Sequence, residues 1–355
     1  MNNVNYLEND ISNMKAYLKS FPQIMNRTFL ITGSTGLIGS FLTKVLLEYE
    51  RENRNNIKVY ALCRNKEKAE RMYADYVDMK QLNFIYGDVR DEIKIDTNID
   101  YIIHGANTTQ SGDFIKHPVE TILSLVSGTN NILQFASKQK LYGFLYLSSL
   151  EIYGRHRDDK PYIHENDYGY IDITSPRSSY SEGKRMAENL CFSYAYEYNL
   201  PIKIARLTQT FGPGVAYDDK RVFAEFARCV IEERDIILHT EGRTVRNYLY
   251  IRDCAKALFL ILFRGEDGEA YNVANPDTEI SIYDMAKLIA TKMAMGRIGV
   301  KIEINHDSKE LGYNPEMRAV LSIDKLLSLG FVPEVGLEQM LQNTIESMRC
   351  NLEGK

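Results

Sequence analysis

Tyr180 and Lys184 are four residues apart and fall on one face of a helix. An ammonium beside a phenol favours the phenolate and lowers the phenol pKa toward neutrality. Such a phenolate takes the proton of a hydroxyl while hydride leaves the carbon beneath it. The spacing alone says little, because the chain has 24 tyrosines and Tyr76/Lys80 and Tyr283/Lys287 share it. Position singles out Tyr180. It opens a helix that follows a strand ending at Ser149, and chemistry in doubly wound sheets gathers at the carboxyl ends of strands. Glu151, two residues past Ser149, adds a carboxylate able to move a proton. The plainer alternative for Glu151 is a structural ion pair at the strand end.

A hydride needs an acceptor, and Gly33-Ser34-Thr35-Gly36-Leu37-Ile38-Gly39 points to one. This GxxGxxG follows an apolar strand pattern and opens a helical one. Glycines there let a pyrophosphate approach backbone N–H groups at a helix N-terminus. Gly33, Thr35, Gly36, Leu37, Ile38 and Gly39 are therefore candidate dinucleotide contacts; a tight turn without ligand is the alternative. The second strand ends in Cys63-Arg64-Asn65. An acidic residue there would accept from the 2′-hydroxyl of NAD, whereas Arg64 suits a 2′-phosphate. The cofactor class is NAD(P), with NADP favoured over NAD. Asp88, in Gly87-Asp88-Val89, is placed to accept from an adenine amino group; an ordinary turn Asp is the alternative.

These residues require a scaffold. Strand patterns at Thr28–Thr32, Ile57–Cys63, Leu82–Tyr86, Tyr101–His104, Phe144–Ser148 and Ile202–Arg206 alternate with helical ones, clearest at Pro118–Lys138 and Tyr180–Tyr198. The fold class is α/β: a doubly wound parallel Rossmann sheet with a smaller C-terminal α/β substrate lobe. Residues 1–26 read as an N-terminal helical extension, with Ile11, Met14, Leu18 and Phe21 at helical spacing, packed on the surface of the main domain. Residues 27–210 read as the NAD(P)-binding domain, joined by about 236–263. Residues 211–355 read mostly as the substrate lobe.

Composition excludes other classes. The chain has 355 residues, with 43 Lys+Arg against 48 Asp+Glu and a formal charge of −5, a poor balance for a nucleic-acid binder. Ala255–Phe263, interrupted by Lys256, is the longest apolar stretch and is far short of a membrane span. The polar, Asn-rich start does not read as a signal peptide. Five scattered cysteines imply reduced thiols and a cytoplasmic setting. Six dispersed histidines without HExxH spacing imply no metal site.

Taken together, the motifs resemble the extended short-chain dehydrogenase/reductases of the nucleotide-sugar epimerase/dehydratase group. The glycine loop, Gly87-Asp88-Val89, His104-Gly105-Ala106 and Ser148-Ser149-Leu150-Glu151-Ile152-Tyr153-Gly154 carry the resemblance, with Tyr180-xxx-Lys184. Arg206, Phe211-Gly212-Pro213-Gly214, Arg246-Asn247-Tyr248-Leu249-Tyr250-Ile251, Tyr271-Asn272-Val273 and Leu329-Gly330-Phe331-Val332-Pro333 extend it. The resemblance implies that Ser149 bonds the sugar C4 oxygen, Tyr180 is the base, and Lys184 holds the phenolate and the nicotinamide ribose. It implies cofactor contacts at Val89 and Ala106, and substrate contacts at Thr108 and Gln209. Arg246 and Arg318 match positions that bind the substrate diphosphate, and Arg221 matches one near the nucleotide.

Pro176–Arg185 and Asp219–Val222 are most similar to the UDP-glucuronate decarboxylase branch, and Glu151 is shared with that branch and with 4,6-dehydratases. Three residues depart from these patterns. Leu150 stands where dehydratases carry Asp, Asn107-Thr108 where decarboxylases carry Ser-Pro, and Gln209 where many relatives have Asn. The implied activity is C4 oxidation of a nucleotide-diphosphate sugar, then decarboxylation or dehydration with cofactor recycling. Alternatives are a C4 or C5 epimerase, an NADPH-consuming ketosugar reductase, and a non-catalytic sensor. A homodimer through a helix pair that includes the Tyr180 helix is implied, with no nucleic-acid or membrane partner.

Overall fold

The strands run β1 (Thr28–Thr32), β2 (Lys58–Cys63), β3 (Leu82–Tyr86), β4 (Tyr101–His104), β5 (Gly143–Ser149), β6 (Ile202–Leu207) and β7 (Gln209–Phe211). They continue with β8 (Ile236–Leu238), β9 (Val245–Tyr250), β10 (Glu269–Val273), β11 (Asn275–Ser281), β12 (Val300–Ile302) and β13 (Arg318–Ala319). The helices are α1 (Tyr6–Leu18), α2 (Leu37–Asn53), α3 (Lys66–Met72), α4 (Ser111–Lys116), α5 (Pro118–Ala136) and α6 (Ser178–Tyr198). After them come α7 (Val222–Ile231), α8 (Ile251–Arg264), α9 (Ile282–Leu288), α10 (Asp324–Ser328) and α11 (Leu337–Glu353). The structure, a computed structural model, describes residues 5–107, 111–156, 160–304 and 316–353.

Seven strands make one parallel sheet in the order β10-β6-β5-β4-β1-β2-β3. Successive side chains of a strand point to opposite faces, and both faces are covered. Phe29 and Ile31 pack with Val45 of α2 and Leu258 of α8. Leu30, between them, packs with Ile132 of α5 and Ala187 of α6. From β1 the chain moves outward through β2 to β3, then returns to β4 on the other side of β1. That reversal opens a crevice at the carboxyl ends of β1 and β4.

The second lobe is built on a small sheet in which β9 pairs with β7, β11 and β13, and on the pair β8–β12. This corrects the expectation that about 236–263 belongs with the main sheet. Residues 236–250 form β8 and β9 in the small lobe. Only α8 returns, and it packs on β5 and β6 before β10 joins the main sheet as an edge strand. Asn247 shows what holds β9 in place. Its side chain donates to the Leu321 carbonyl at 2.9 Å and accepts from the Leu321 N–H at 3.2 Å. Apolar runs announce strands, but long-range partners decide which sheet they join.

The N-terminal helix does more than lie on the main domain. Ile11, Met14 and Leu18 enter the main core, and α1 touches α2, α8 and α11. Asp10 is buried at this junction. It accepts from the Tyr250 hydroxyl at 2.6 Å and from Arg252 at 3.2 Å, while Asn343 of α11 donates to the Tyr250 oxygen at 2.9 Å. Burial pushes the Asp10 carboxyl up from 3.8 to about 6, against the pull of Tyr250 and Arg252. The folded state therefore binds this proton more tightly than the unfolded chain. The resulting stability is complete below pH 3.8 and is lost as pH rises through about 6. Asp10→Asn, neutral at every pH, is expected to gain thermal stability relative to the parent as pH rises across that window. Calorimetry that finds a constant gap in melting temperature would show that Asp10 does not titrate there.

Among the described residues no helix is long and apolar enough to cross a membrane, and no three His, Cys, Asp or Glu side chains cluster to hold a metal ion.

Candidate active site

A cleft of about 500 Å³ lies in the crevice between the lobes, bounded by the glycine turn, the ends of β4 and β5, the start of α6, and residues of β7 and β9. The turn after β1 is shaped for close approach. Gly33 has φ +71°, and a Cβ on it would lie 2.9 Å from the Gly105 oxygen. A Cβ on Gly39 would lie 2.4 Å from the Gly33 oxygen, so the first turn of α2 packs directly on the loop. Gly36 is the N-cap of this 17-residue helix and offers no side-chain cap. The first amides of α2 thus face the cleft as donors beside the positive end of the helix dipole. This cradle fits the pyrophosphate of a dinucleotide.

The end of β4 is fixed by a buried relay. The Thr32 hydroxyl accepts from the N–H groups of Gly105 and Ala106, both at 3.1 Å. Both lone pairs are then in use, so its proton goes to Nδ1 of His104 at 2.7 Å. His104 Nε2–H in turn donates to Thr129 Oγ1 at 3.1 Å. Burial, aided by Lys184, lowers the His104 pKa to about 3 and keeps the ring neutral, consistent with that assignment.

Tyr180 sits in the first turn of α6, 6% exposed, with its ring stacked on Phe114 at 4.3 Å and 9°. Ser149 ends β5 and caps a short 3₁₀ turn, its Oγ accepting from the Glu151 N–H at 3.2 Å. The Glu151 carboxylate accepts from Arg177 at 3.0 Å and from Ser181 at 3.3 Å. Lys184, one turn after Tyr180, is buried and donates to the Leu147 carbonyl at 2.5 Å. Its Nζ lies 4.6 Å from the Tyr146 ring centre and 5.9 Å from that of Tyr180.

The sequence led us to expect that Lys184 pulls the Tyr180 phenol toward neutrality. The structure corrects this. Burial pushes the phenol up to about 12, and Ser149 rather than Lys184 is the main group drawing it back. Lys184 is itself desolvated and drops to about 7, with Glu188 opposing the drop. Burial weakens the hold of the Lys184 ammonium on its own proton, and the phenol keeps the upward push of its burial.

The small lobe contributes from above. Gln209 pairs in register with Tyr248, so Gln209 and Arg246, two residues before Tyr248, share one face of the small sheet. Both line the cleft. Arg246 is 8% exposed, and its Nε, like Gln209 Oε1, has no partner among the described residues. Such groups suit a ligand that brings a phosphate oxygen and a hydroxyl. Arg221 also lines the cleft and is gripped by Asp219 at 2.6 Å.

This geometry meets an independent match. A model of the NAD dependent epimerase/dehydratase family covers residues 29–274. The chain belongs to that family. Among its relatives, UDP-glucuronic acid decarboxylase 1 of Xenopus tropicalis is 28% identical over 98% of this chain and 80% of its own length. The dTDP-D-glucose 4,6-dehydratase of Dictyostelium discoideum is 31% identical over 73% of this chain and 61% of its own. In fold, the chain matches the dTDP-glucose 4,6-dehydratase of Bacillus anthracis, solved with NAD, at a TM-score of 0.74 and 19% identity, over 92% of this chain and 98% of that one.

Of the family positions expected from the sequence, the cleft brings together Gly33, Thr35, Gly36, Leu37, Ile38, Gly39, Arg64, Val89 and Ala106 on the cofactor side. Ser149, Glu151, Tyr180, Lys184, Gln209, Arg221 and Arg246 line its other part. Thr108 lies outside the described residues. Asp88 is not among the lining residues. Arg90 takes its carboxylate at 2.8 Å and holds its pKa below the usual range. Arg318 is also elsewhere. It pairs in register with Val245, one residue from Arg246, and so falls on the opposite face of β9. There it binds Glu279 and the Pro161 carbonyl. Sequence reasoning missed Phe114, Arg177, Ser181 and the Thr32–His104 relay. Arg177 and Ser181 left a trace as neighbours of Tyr180, and His104 as part of a family motif, but without these roles.

Proposed function

We propose that this chain oxidises a nucleotide-diphosphate sugar at C4, then removes carbon dioxide or water, and ends each turnover with its nicotinamide cofactor as it began. One observation carries the reading: the Glu151 carboxylate, held by Arg177 and Ser181, shares the cleft with the phenol of Tyr180. A simple reductase has no use for a proton carrier beside the neighbouring carbon.

A nicotinamide, when bound, supplies the hydride acceptor and later the donor. The protein's own groups do the rest. Ser149 orients the C4 oxygen, and Tyr180 receives its proton. The resulting ketone acidifies C5–H and labilises a C5 carboxylate. Glu151 moves the proton at C5. Arg246 Nε donates to a phosphate oxygen, Gln209 Oε1 accepts from a hydroxyl, and Arg221 sits nearer the nucleotide. The named activities of the decarboxylase and dehydratase relatives support these two outcomes.

Arg64 favours a 2′-phosphate, hence NADP, and is the observation behind a second reading, an NADPH-consuming ketosugar reductase. We also read a homodimer. Helices α5 and α6 pack on each other and leave Val119 and Met186 more than half exposed, with Ile122 and Leu123 beside Val119. Light scattering is expected to give the mass of two chains, and the mass of one overturns that reading.

The test is a panel of UDP-, dTDP-, GDP- and CDP-sugars, including a uronate, each incubated with NAD or NADP. Loss of carbon dioxide or water, without net change in nicotinamide absorbance, is expected. A gain of two hydrogens with mole-for-mole loss of NADPH overturns the recycling reading. An unchanged mass with altered stereochemistry selects an epimerase.

A further inference from the structure

We propose that Arg177 is a positioning residue that holds Glu151 as an oriented carboxylate for proton removal at the sugar carbon next to the oxidised one. This rests on the functional reading above and names the part of the site that governs its second step.

Arg177 immediately precedes α6 and donates from Nη2 to Glu151 Oε1 at 3.0 Å. The pair is mostly buried, its side chains 14% and 18% exposed. The other carboxylate oxygen accepts from Ser181 Oγ. The start of one helix therefore gives a donor to each oxygen of Glu151. The guanidinium is itself held, lying 4.9 Å over the ring of Phe114, which stacks on Tyr180. Glu151 is thus pinned to the same cluster that fixes the phenol. The other charged or titratable groups facing this cluster are Tyr180 and Lys184 of α6, Arg221 before α7, and Arg246 of β9.

A guanidinium at this distance stabilises a carboxylate over a carboxylic acid; its Nη2–H sets the direction of Oε1, and Ser181 sets that of Oε2. In the step so assigned, the C5–H bond breaks and its proton goes to Glu151. Its electron pair moves into the C4 carbonyl as an enolate. The oxidant that makes this ketone is the nicotinamide of the functional reading.

The experiment follows the two half-reactions separately, with dTDP-glucose and UDP-glucuronic acid in deuterated water. Stopped-flow absorbance reads the formation of reduced cofactor, and mass spectrometry reads deuterium exchanged for hydrogen at C5 in sugar that has kept its C6 carbon. Arg177→Gln is expected to slow C5 labelling ~10²-fold while sparing cofactor reduction. The acid limb of the labelling pH profile moves upward, because a carboxylate that has lost its guanidinium neighbour holds its proton to higher pH. Arg177→Lys restores charge without the rigid Nη2 donor and recovers labelling in part. An equal fall in both half-reactions assigns Arg177 to helix architecture and overturns the proposal, as does no fall in either. If the parent protein forms no reduced cofactor with either sugar, the functional reading fails first, and the proposal with it.

Discussion

Tyr180→Phe is expected to reduce the rate of C4 oxidation by ~10²–10⁴-fold while cofactor affinity stays unchanged. The substitution is conservative in packing. The stack on Phe114 involves the ring alone, and the ring is 6% exposed, so phenylalanine keeps the contact and the helix start. What disappears is the hydroxyl group that receives the substrate proton. Because burial holds this phenol at about 12, the parent rate is expected to climb with pH across the neutral range as the phenolate fraction grows. The variant loses that climb. Single-turnover cofactor reduction, with calorimetric titration of the cofactor, separates the two effects. A variant with a near-parental rate would remove Tyr180 from the chemistry.

The largest expected effect on stability is at Arg206. Its side chain is 1% exposed and that of Glu188 is 5% exposed, with Nη2 and Oε2 2.7 Å apart. The same guanidinium donates to the hydroxyls of Tyr153 at 3.0 Å and Tyr168 at 2.7 Å. Burial opposes its charge, but Glu188 and Tyr153 more than offset that and hold the pKa above the ordinary value. Arg206→Leu would leave the Glu188 carboxylate buried and unpaired, at a cost of ~3–5 kcal/mol. Glu188 lies one turn beyond Lys184 on α6, so the damage reaches the site. Denaturant unfolding of Arg206→Leu beside the double variant Arg206→Leu/Glu188→Leu checks this. The double variant is expected to recover much of the loss, since no charge is stranded. A single variant as stable as the parent would show that water reaches Glu188.

What the sequence showed, and what it hid, follows from distance along the chain. The glycine turn is a local feature: Gly33, Gly36 and Gly39 announce themselves within seven residues. Tyr180 and Lys184 share one helical turn. The alternation of strands and helices from Thr28 to Leu207 is equally local, and it matches the seven-stranded sheet apart from its edge strand β10. The hidden parts are long-range. Phe114 meets Tyr180 from another helix, and nothing in its own neighbourhood marks it. The Arg177–Glu151 bridge spans 26 residues and the Thr32–His104 relay spans 72. β8 and β9 take their places from distant partners, β12 for β8 and β13 as far off as Ala319 for β9. Arg318 matched a family pattern in type, yet a one-residue register offset puts it on the other face. The fate of the Lys184 charge depended on burial, which spacing does not reveal.

The junction at Tyr250 has a consequence for how the polypeptide is made. Asp10 reaches Tyr250 across 240 positions, and Asn343 reaches the same hydroxyl from 93 positions further on. A nascent chain emerging from the ribosome can assemble β1 to β6 early, but this junction stays open until α11 has been synthesised. The first helix can settle on α2 early, but the Asp10 bond waits for Tyr250 and the junction closes only with Asn343.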